Sequence, residues 1–257
     1  MTEQLPTVVL VHGAFAESAS WNGVIERLRA RSVPAVAVAN PLRSLTGDAG
    51  YVRDVIASID GPVVLVGHSY GGLVISEAGA ANDAVAALVY VNAFVPEHGK
   101  TAFDLSTEFP GSTLPDALAP RTLADGSVEL TIRPDVFRHQ FVADVSEAEA
   151  ALMAATQRPV TQAALTDPLP TSTPAWTTTP SWFVFGDQDL NIPVAEHRAG
   201  AERAGANARG VREVAGGSHA LSVSRPDVVA EVILEAVEAV AAGAGAGVTT
   251  AAFQTGA

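Results

Sequence analysis

Apolar residues in this chain gather into short, nearly unbroken β-branched runs separated by amphipathic stretches. Such runs at Thr7–Val11, Ala35–Ala39, Val63–Val66, Ala87–Val91, Trp182–Phe185 and Gly210–Val214 predict six strands. They are continuous rather than alternating in polarity, as parallel strands covered by helices on both faces require. Val24, Ile25 and Leu28 share one face of a first intervening helix, and Tyr51, Val52, Val55, Ile56 and Ile59 one face of a second. A last helix, about Pro226–Ala242, turns Val229, Ile233, Ala236 and Val240 inward and Glu231, Glu235 and Glu238 outward. The order is that of an α/β fold, a doubly wound, mainly parallel six-stranded sheet.

From about 96 to 179 the alternation stops, prolines recur from Pro110 to Pro180, and no clear strand is followed by a helix. This stretch is expected to form a small, mostly helical cap, inserted into a core made of 1–95 and 180–242. Asp135–Ala143 and Ser146–Thr156 are its predicted helices, the second capped by Ser146 with Glu147 and Glu149 in its first turn. Residues 243–257, rich in glycine and alanine and without periodicity, are expected to be a flexible tail with no function.

Composition narrows the function. With 48% hydrophobic residues in 257, the chain holds material for one large core. A net charge of −13 disfavours nucleic acid and anionic membrane surfaces as partners. Cysteine is absent, which removes disulfides, thiolate metal sites and cysteine nucleophiles. No histidine pair has zinc-site spacing, and no Gly-x-Gly-x-x-Gly follows a strand, so neither a metal nor a cofactor is expected. The opening Met1-Thr2-Glu3-Gln4 has no positive charge and the apolar run after it is short, so a cytoplasmic location is the expectation.

Candidate chemistry centres on Gly67-His68-Ser69-Tyr70-Gly71, placed where a buried strand ends and a helix begins. A serine on such a sharp turn takes a strained backbone conformation, and the flanking glycines let strand and helix approach closely, so its hydroxyl projects as a nucleophile. His219, in Gly216-Gly217-Ser218-His219 after the last strand, is the candidate base. His12 and His68 read as structural hydrogen-bonding groups, and His98, His139 and His197 as solvated. The acid is expected after the penultimate strand, in Gly186-Asp187-Gln188-Asp189, with Asp189 at the loop tip and Asp187 bracing the loop through its own amides. The rival acid position, at the end of the preceding strand, holds Asn92, an amide that cannot stabilise an imidazolium as a carboxylate does. The backbone N–H groups of Ala14, after His12-Gly13, and of Tyr70, at the start of its helix, are the candidate oxyanion hole.

On these residues the chain resembles α/β-hydrolase-fold serine hydrolases from about Thr7 to Ala242. The motifs that carry the likeness are His12-Gly13-Ala14-Phe15, the elbow around Ser69, Asp189 with Pro193, and Gly217-Ser218-His219. Within that fold it is similar to the compact cofactor-free group of plant methylesterases, hydroxynitrile lyases and bacterial haloperoxidase-type esterases. The family usually opens with an extra hairpin, and six residues before the first strand imply a sheet of six strands. The resemblance implies acyl transfer through a covalent Ser69 intermediate, with a small ester or lactone as substrate and the chain acting as monomer or homodimer. Thioester or carbon–carbon hydrolysis by the same triad, or ligand binding without turnover, are the alternatives. Ser69 stands where the dehalogenases and epoxide hydrolases of the fold carry an aspartate. Ala220 stands where the lyases carry a lysine. An apolar pocket is expected from Phe15, Phe94, Phe137 and Trp176, with Trp21, Phe103 and Phe141 as further candidates, although each is individually ordinary core material.

Overall fold

Both faces of the four inner strands of the central sheet are dry, which explains their unbroken apolar runs, whereas the two edge strands expose Val36 and Val211. Val8, Leu10, Val64 and Val66 point into one buried layer and their alternating neighbours Val9, Val11, Val63 and Leu65 into the other. The computed structural model describes residues 5–251, with side-chain surroundings as far as 243. In chain order the first half runs β1 (Thr7–Val11), α1 (Asn22–Ala30), β2 (Ala35–Val38), α2 (Leu45–Ala57), β3 (Val63–His68), α3 (Gly71–Ala78) and β4 (Val85–Val91). An insertion follows with α4 (Ala102–Glu108), α5 (Leu114–Ala117), β5 (Leu118–Thr122), β6 (Val128–Ile132), α6 (Pro134–Phe141), α7 (Glu147–Thr156), β7 (Val160–Thr161) and α8 (Gln162–Thr166). The chain closes with β8 (Ser181–Gly186), α9 (Val194–Arg203), β9 (Ala208–Val214), α10 (Leu221–Ser224) and α11 (Pro226–Ala251).

The six core strands pair in the order β2-β1-β3-β4-β8-β9, every neighbour parallel, with Val9 opposite Leu65 on one side and Val36 on the other. The first crossover leaves β1 toward β2 and the next returns to β3 on the opposite side. Strand order therefore reverses at β1, and the carboxyl ends of β1 and β3 open the crevice where such sheets hold ligands. Helices α1 and α11 cover one face; α2 and α3 cover the other. In α11, Val229, Ile233 and Ala236 are buried and Glu231, Glu235 and Glu238 exposed, as their spacing requires. Tyr51, expected on the inner face of α2, is 39% exposed.

Two departures from the sequence expectations concern the C-terminal end and the insertion. The last helix runs past the expected stop at Ala242 to Ala251. Beyond that, the expected tail lies outside the described residues, as do Met1–Gln4. The insertion also holds strands, an antiparallel sheet in the order β5-β6-β7, where none was expected. Pro120 is tolerated because β5 is an edge strand. The hairpin turns at Asp125-Gly126, with Gly126 at φ +85°, and this dipeptide is the signal that betrays it. The α7 cap is as expected, Ser146 Oγ accepting from the Glu149 amide at 3.2 Å. Among the described residues no helix is long and apolar enough to cross a membrane.

Candidate active site

Ser69 sits on the turn between β3 and α3 with φ +55°, a left-handed conformation that L side chains adopt only at a cost of about 1–3 kcal/mol. The surroundings enforce it. A Cβ at Gly67 would lie 2.6 Å from the Gly71 carbonyl oxygen, and one at Gly71 the same distance from the Val11 carbonyl oxygen. Strand, turn and helix thus pack closer than any side chain allows. Ser69 donates its amide to the Asn92 carbonyl at 3.1 Å and its own carbonyl accepts from Gly72 at 2.9 Å. Its side chain is held at the sheet's carboxyl edge and is 7% exposed.

The β1 loop presses against it. A Cβ on Gly13 would stand 2.5 Å from Ser69 Cβ and 2.6 Å from the His68 carbonyl oxygen, so only glycine fits there. The loop is fixed by Asn40 Nδ2 donating to the His12 carbonyl at 2.9 Å and by the His12 ring at its own end. Among the described residues, neither the Ala14 nor the Tyr70 backbone N–H donates to a protein acceptor, and both residues are buried.

His219 and Asp189, expected as base and acid, meet. His219 Nδ1 donates to Asp189 Oδ2 at 2.7 Å, both side chains being buried. Because an ionised carboxylate only accepts, the hydrogen lies on Nδ1 and Nε2 keeps its lone pair. Nε2 is buried and has no hydrogen-bond partner among the described residues, Ser69 included. Asp189 is secured further. Its Oδ1 accepts from the Asn191 and Ile192 amides at 2.8 and 2.9 Å, and its Oδ2 also accepts from Asn92 Nδ2 at 2.8 Å and His197 Nε2 at 3.0 Å. Burial by itself would raise the Asp189 carboxyl, but the facing His219 and His197 hold it well below the usual carboxylate range.

The environment of the other candidates corrects several expectations. His197 is 3% exposed and bonded to Asp189, not solvated; its place in the first turn of α9 points it at the sheet rather than away. Asp187 does brace, but across to the next loop, accepting from the Gly216 amide at 2.7 Å. Asn92, the failed acid position, donates to the acid instead. His68 is fully buried, donating from Nε2 to the His219 carbonyl at 3.0 Å, with its pKa lowered to about 3 chiefly by burial; it stays neutral beside the base. His12 is likewise lowered to about 4. His98 and His139 are exposed.

The insertion closes over these loops. Gln140 Nε2 donates to the Leu190 carbonyl at 3.0 Å and to Asn191 Oδ1 at 2.7 Å, tying α6 to the acid loop. Ser218 donates to Asp144, which also faces Arg225 at 3.3 Å, tying the insertion to the base loop. Phe141 lies edge-on to His219 with ring centroids 5.0 Å apart. Of the expected pocket residues, Phe15 packs on Phe141 at 6.4 Å and Phe137 packs on it at 5.2 Å. Phe94 donates its amide to the Ser69 carbonyl at 3.3 Å, and Trp176 Nε1 donates to the Pro96 carbonyl at 2.8 Å. Trp21 belongs to the opposite layer and Phe103 is 56% exposed. Beside Phe15, a cleft of ≈ 140 Å³ is lined by Ala16, Glu17, Met153 and Val223 among others. Among the described residues no cluster of three or more His, Asp or Glu is arranged to hold a metal ion.

A parallel sheet with a strained serine after β3, and an acid and a histidine on the last two sheet loops, defines an α/β hydrolase. The chain belongs to the alpha/beta hydrolase family, whose profile matches residues 8–232. It is 28% identical over 254 residues to the alpha/beta hydrolase nvfD of Aspergillus novofumigatus, covering 90% of this chain and 96% of that one. Its fold is similar to that of polyneuridine aldehyde esterase, with TM-score 0.77, 20% identity and coverage of 90% and 99%. It is likewise similar to a methylesterase, MES16, from Arabidopsis, with TM-score 0.75, 18% identity and coverage of 91% and 99%.

Proposed function

We propose that this chain is a serine esterase that cleaves a small, largely apolar carboxylic ester or lactone through an acyl-enzyme. The observation that carries the reading is the pairing of a left-handed Ser69 at the sheet edge with a His219 oriented by Asp189 and left with a free, buried Nε2. Ser69 Oγ attacks the carbonyl carbon while His219 Nε2 takes its proton, and the resulting oxyanion accepts from the Ala14 and Tyr70 amides. Collapse breaks the acyl–oxygen bond, and the leaving alkoxide takes the proton from Nε2. Water then attacks the acyl carbon with His219 again as base, the acid leaves, and Ser69 recovers its proton. One oxyanion donor supplies about 3 kcal/mol of transition-state stabilisation, so the Gly13-Ala14 turn matters nearly as much as the triad.

The substrate is read as small because the insertion closes over the loops that carry Asp189 and His219 and sets Phe141 edge-on to His219 at 5.0 Å. The methylesterase among its structural neighbours supports a small alcohol portion. We read the enzyme as a cytoplasmic monomer or homodimer that needs no cofactor. The test is hydrolysis of p-nitrophenyl esters from acetate to decanoate beside Ser69→Ala. Turnover that peaks at short acyl chains and vanishes in a folded Ser69→Ala is the expected result. No turnover at any length sinks the ester reading. An organophosphonate that fails to label Ser69 would then point to ligand binding without catalysis.

A further inference from the structure

Asp189 serves two histidines. Oδ2, the oxygen that accepts from His219 Nδ1 at 2.7 Å, also accepts from His197 Nε2 at 3.0 Å and from Asn92 Nδ2 at 2.8 Å. His197 enters from the first turn of α9, its ring stacked on Phe185 with centroids 5.0 Å apart and planes 14° from parallel. It is 3% exposed, so the ring has no room to swing away. Because the carboxylate can only accept, the shared oxygen fixes the hydrogen of His197 on Nε2 as it fixes that of His219 on Nδ1. The other carboxylate oxygen is tied to the Asn191 and Ile192 amides, so the group cannot rotate to favour one donor.

We propose that His197 is a positioning residue of the triad, holding Asp189 in the plane that serves His219 and tempering the strength of the Asp189–His219 bond. The inference rests on the esterase reading above. Three donors divide the charge of one oxygen, and each draws on what the others receive. With His197 removed, Oδ2 serves His219 and Asn92 alone: its bond to His219 Nδ1 tightens, which favours imidazolium in the free enzyme, and Asp189 loses one of the anchors that hold the imidazole at the angle Ser69 needs. The titratable groups facing His219 are Asp189 from the β8–α9 loop and His68 from β3, with His12 beyond His68. From the insertion Asp144 reaches the same loop through Ser218. Burial keeps His68 and His12 neutral, with pKa values of about 3 and about 4, so neither titrates in the range where an esterase base works.

His197→Phe keeps an aromatic ring for the Phe185 stack and removes the donor, whereas His197→Gln returns an N–H near the position of Nε2. In His197→Phe, kcat on a p-nitrophenyl ester is expected to fall about tenfold with KM little changed, the size of one buried hydrogen bond. The pH at which kcat/KM falls on the acid side should move up by about 0.5–1 unit. The low-field proton resonance of His219 Nδ1 should move further downfield, and His197→Gln should restore all three. If His197→Phe does not fold, His197→Asn, whose amide is one methylene too short to reach Oδ2, takes its place with the same expectations. A profile and resonance unchanged from the parent chain, or a His197→Gln no different from His197→Phe, overturns the proposal. The resonance is read without turnover, so it decides the role of His197 even where no ester is hydrolysed and only the esterase reading falls.

Discussion

Replacing Asp189 by asparagine exchanges one acceptor oxygen for a donor inside a cage made only of donors. Oδ1 faces the amides of Asn191 and Ile192; Oδ2 faces His219, His197 and Asn92. The carboxamide introduced by Asp189→Asn has two orientations. With its oxygen toward His219, its NH₂ faces two backbone donors. Reversed, the NH₂ faces three. The first case leaves two buried donors unmet; in the second both imidazoles can move their hydrogen to the far nitrogen and accept, leaving Asn92 Nδ2 unmet, so a loss of about 1–3 kcal/mol in folding stability is expected. Activity suffers in either orientation, because the first removes the charge that stabilises imidazolium and the second places the hydrogen on Nε2, where the base must be bare. We expect kcat/KM to fall about 10³–10⁴-fold. Asp187→Asn is the matched control, since its amide oxygen can still accept from the Gly216 N–H at a half-buried site. Its expected cost is within about 0.5 kcal/mol, with activity within about twofold. Ester hydrolysis and urea unfolding of the two variants, measured together, give both quantities. Asp187→Asn costing more than Asp189→Asn, or Asp189→Asn staying within tenfold of the parent, would refute the assignment of the acid.

Gly13→Ala drives a methyl to within 2.5 Å of Ser69 Cβ, so either the oxyanion loop or the nucleophile must shift. A displacement of that order costs about 10²-fold in kcat/KM, and near-parent activity would show that the Ala14 amide is not where the reaction needs it. Glu196 is 1% exposed with neither carboxylate oxygen hydrogen-bonded among the described residues. Burial raises its pKa from 4.5 to about 7, and the Arg203 guanidinium 3.8 Å away offsets this only in part. The folded state therefore binds this proton more tightly than the unfolded state, and stability should decline as pH rises from about 4.5 through about 7. Thermal unfolding at pH 5 and pH 8 should show the decline, and Glu196→Gln should reduce it; an unchanged slope in the variant would rule Glu196 out as its source.

Those elements whose physical demands are local were legible without a structure. Gly67 and Gly71 announced a turn with no space for side chains, and the closest approaches there fall to 2.6 Å. His219 and Asp189 could be placed because loops after successive parallel strands emerge at the same sheet edge. The insertion was harder to read. Val128, Leu130 and Ile132 alternate with Glu129 and Thr131 and so mark β6, but its partners carry no such run: β7 is two residues long, and Pro120 argued against β5. His197 was misread because a histidine in the first turn of a helix looks the same in sequence whether that turn faces water or an acid.

By itself, then, the sequence determined the six strands, the strained turn at Ser69 and the succession of Ser69, Asp189 and His219 along one sheet edge. Burial on both faces and backbone strain leave marks within a few neighbouring residues. Only the tertiary structure decided that Asn92, His197 and His219 converge on one oxygen of Asp189, and that Gln140 and Asp144 fasten the insertion to the acid and base loops. Those contacts join residues up to 97 positions apart in the acid's own cage, and 74 between Asp144 and Ser218. No local pattern encodes such separations; they arise when α9 packs against the sheet and α6 comes to rest over the loop that carries Asp189.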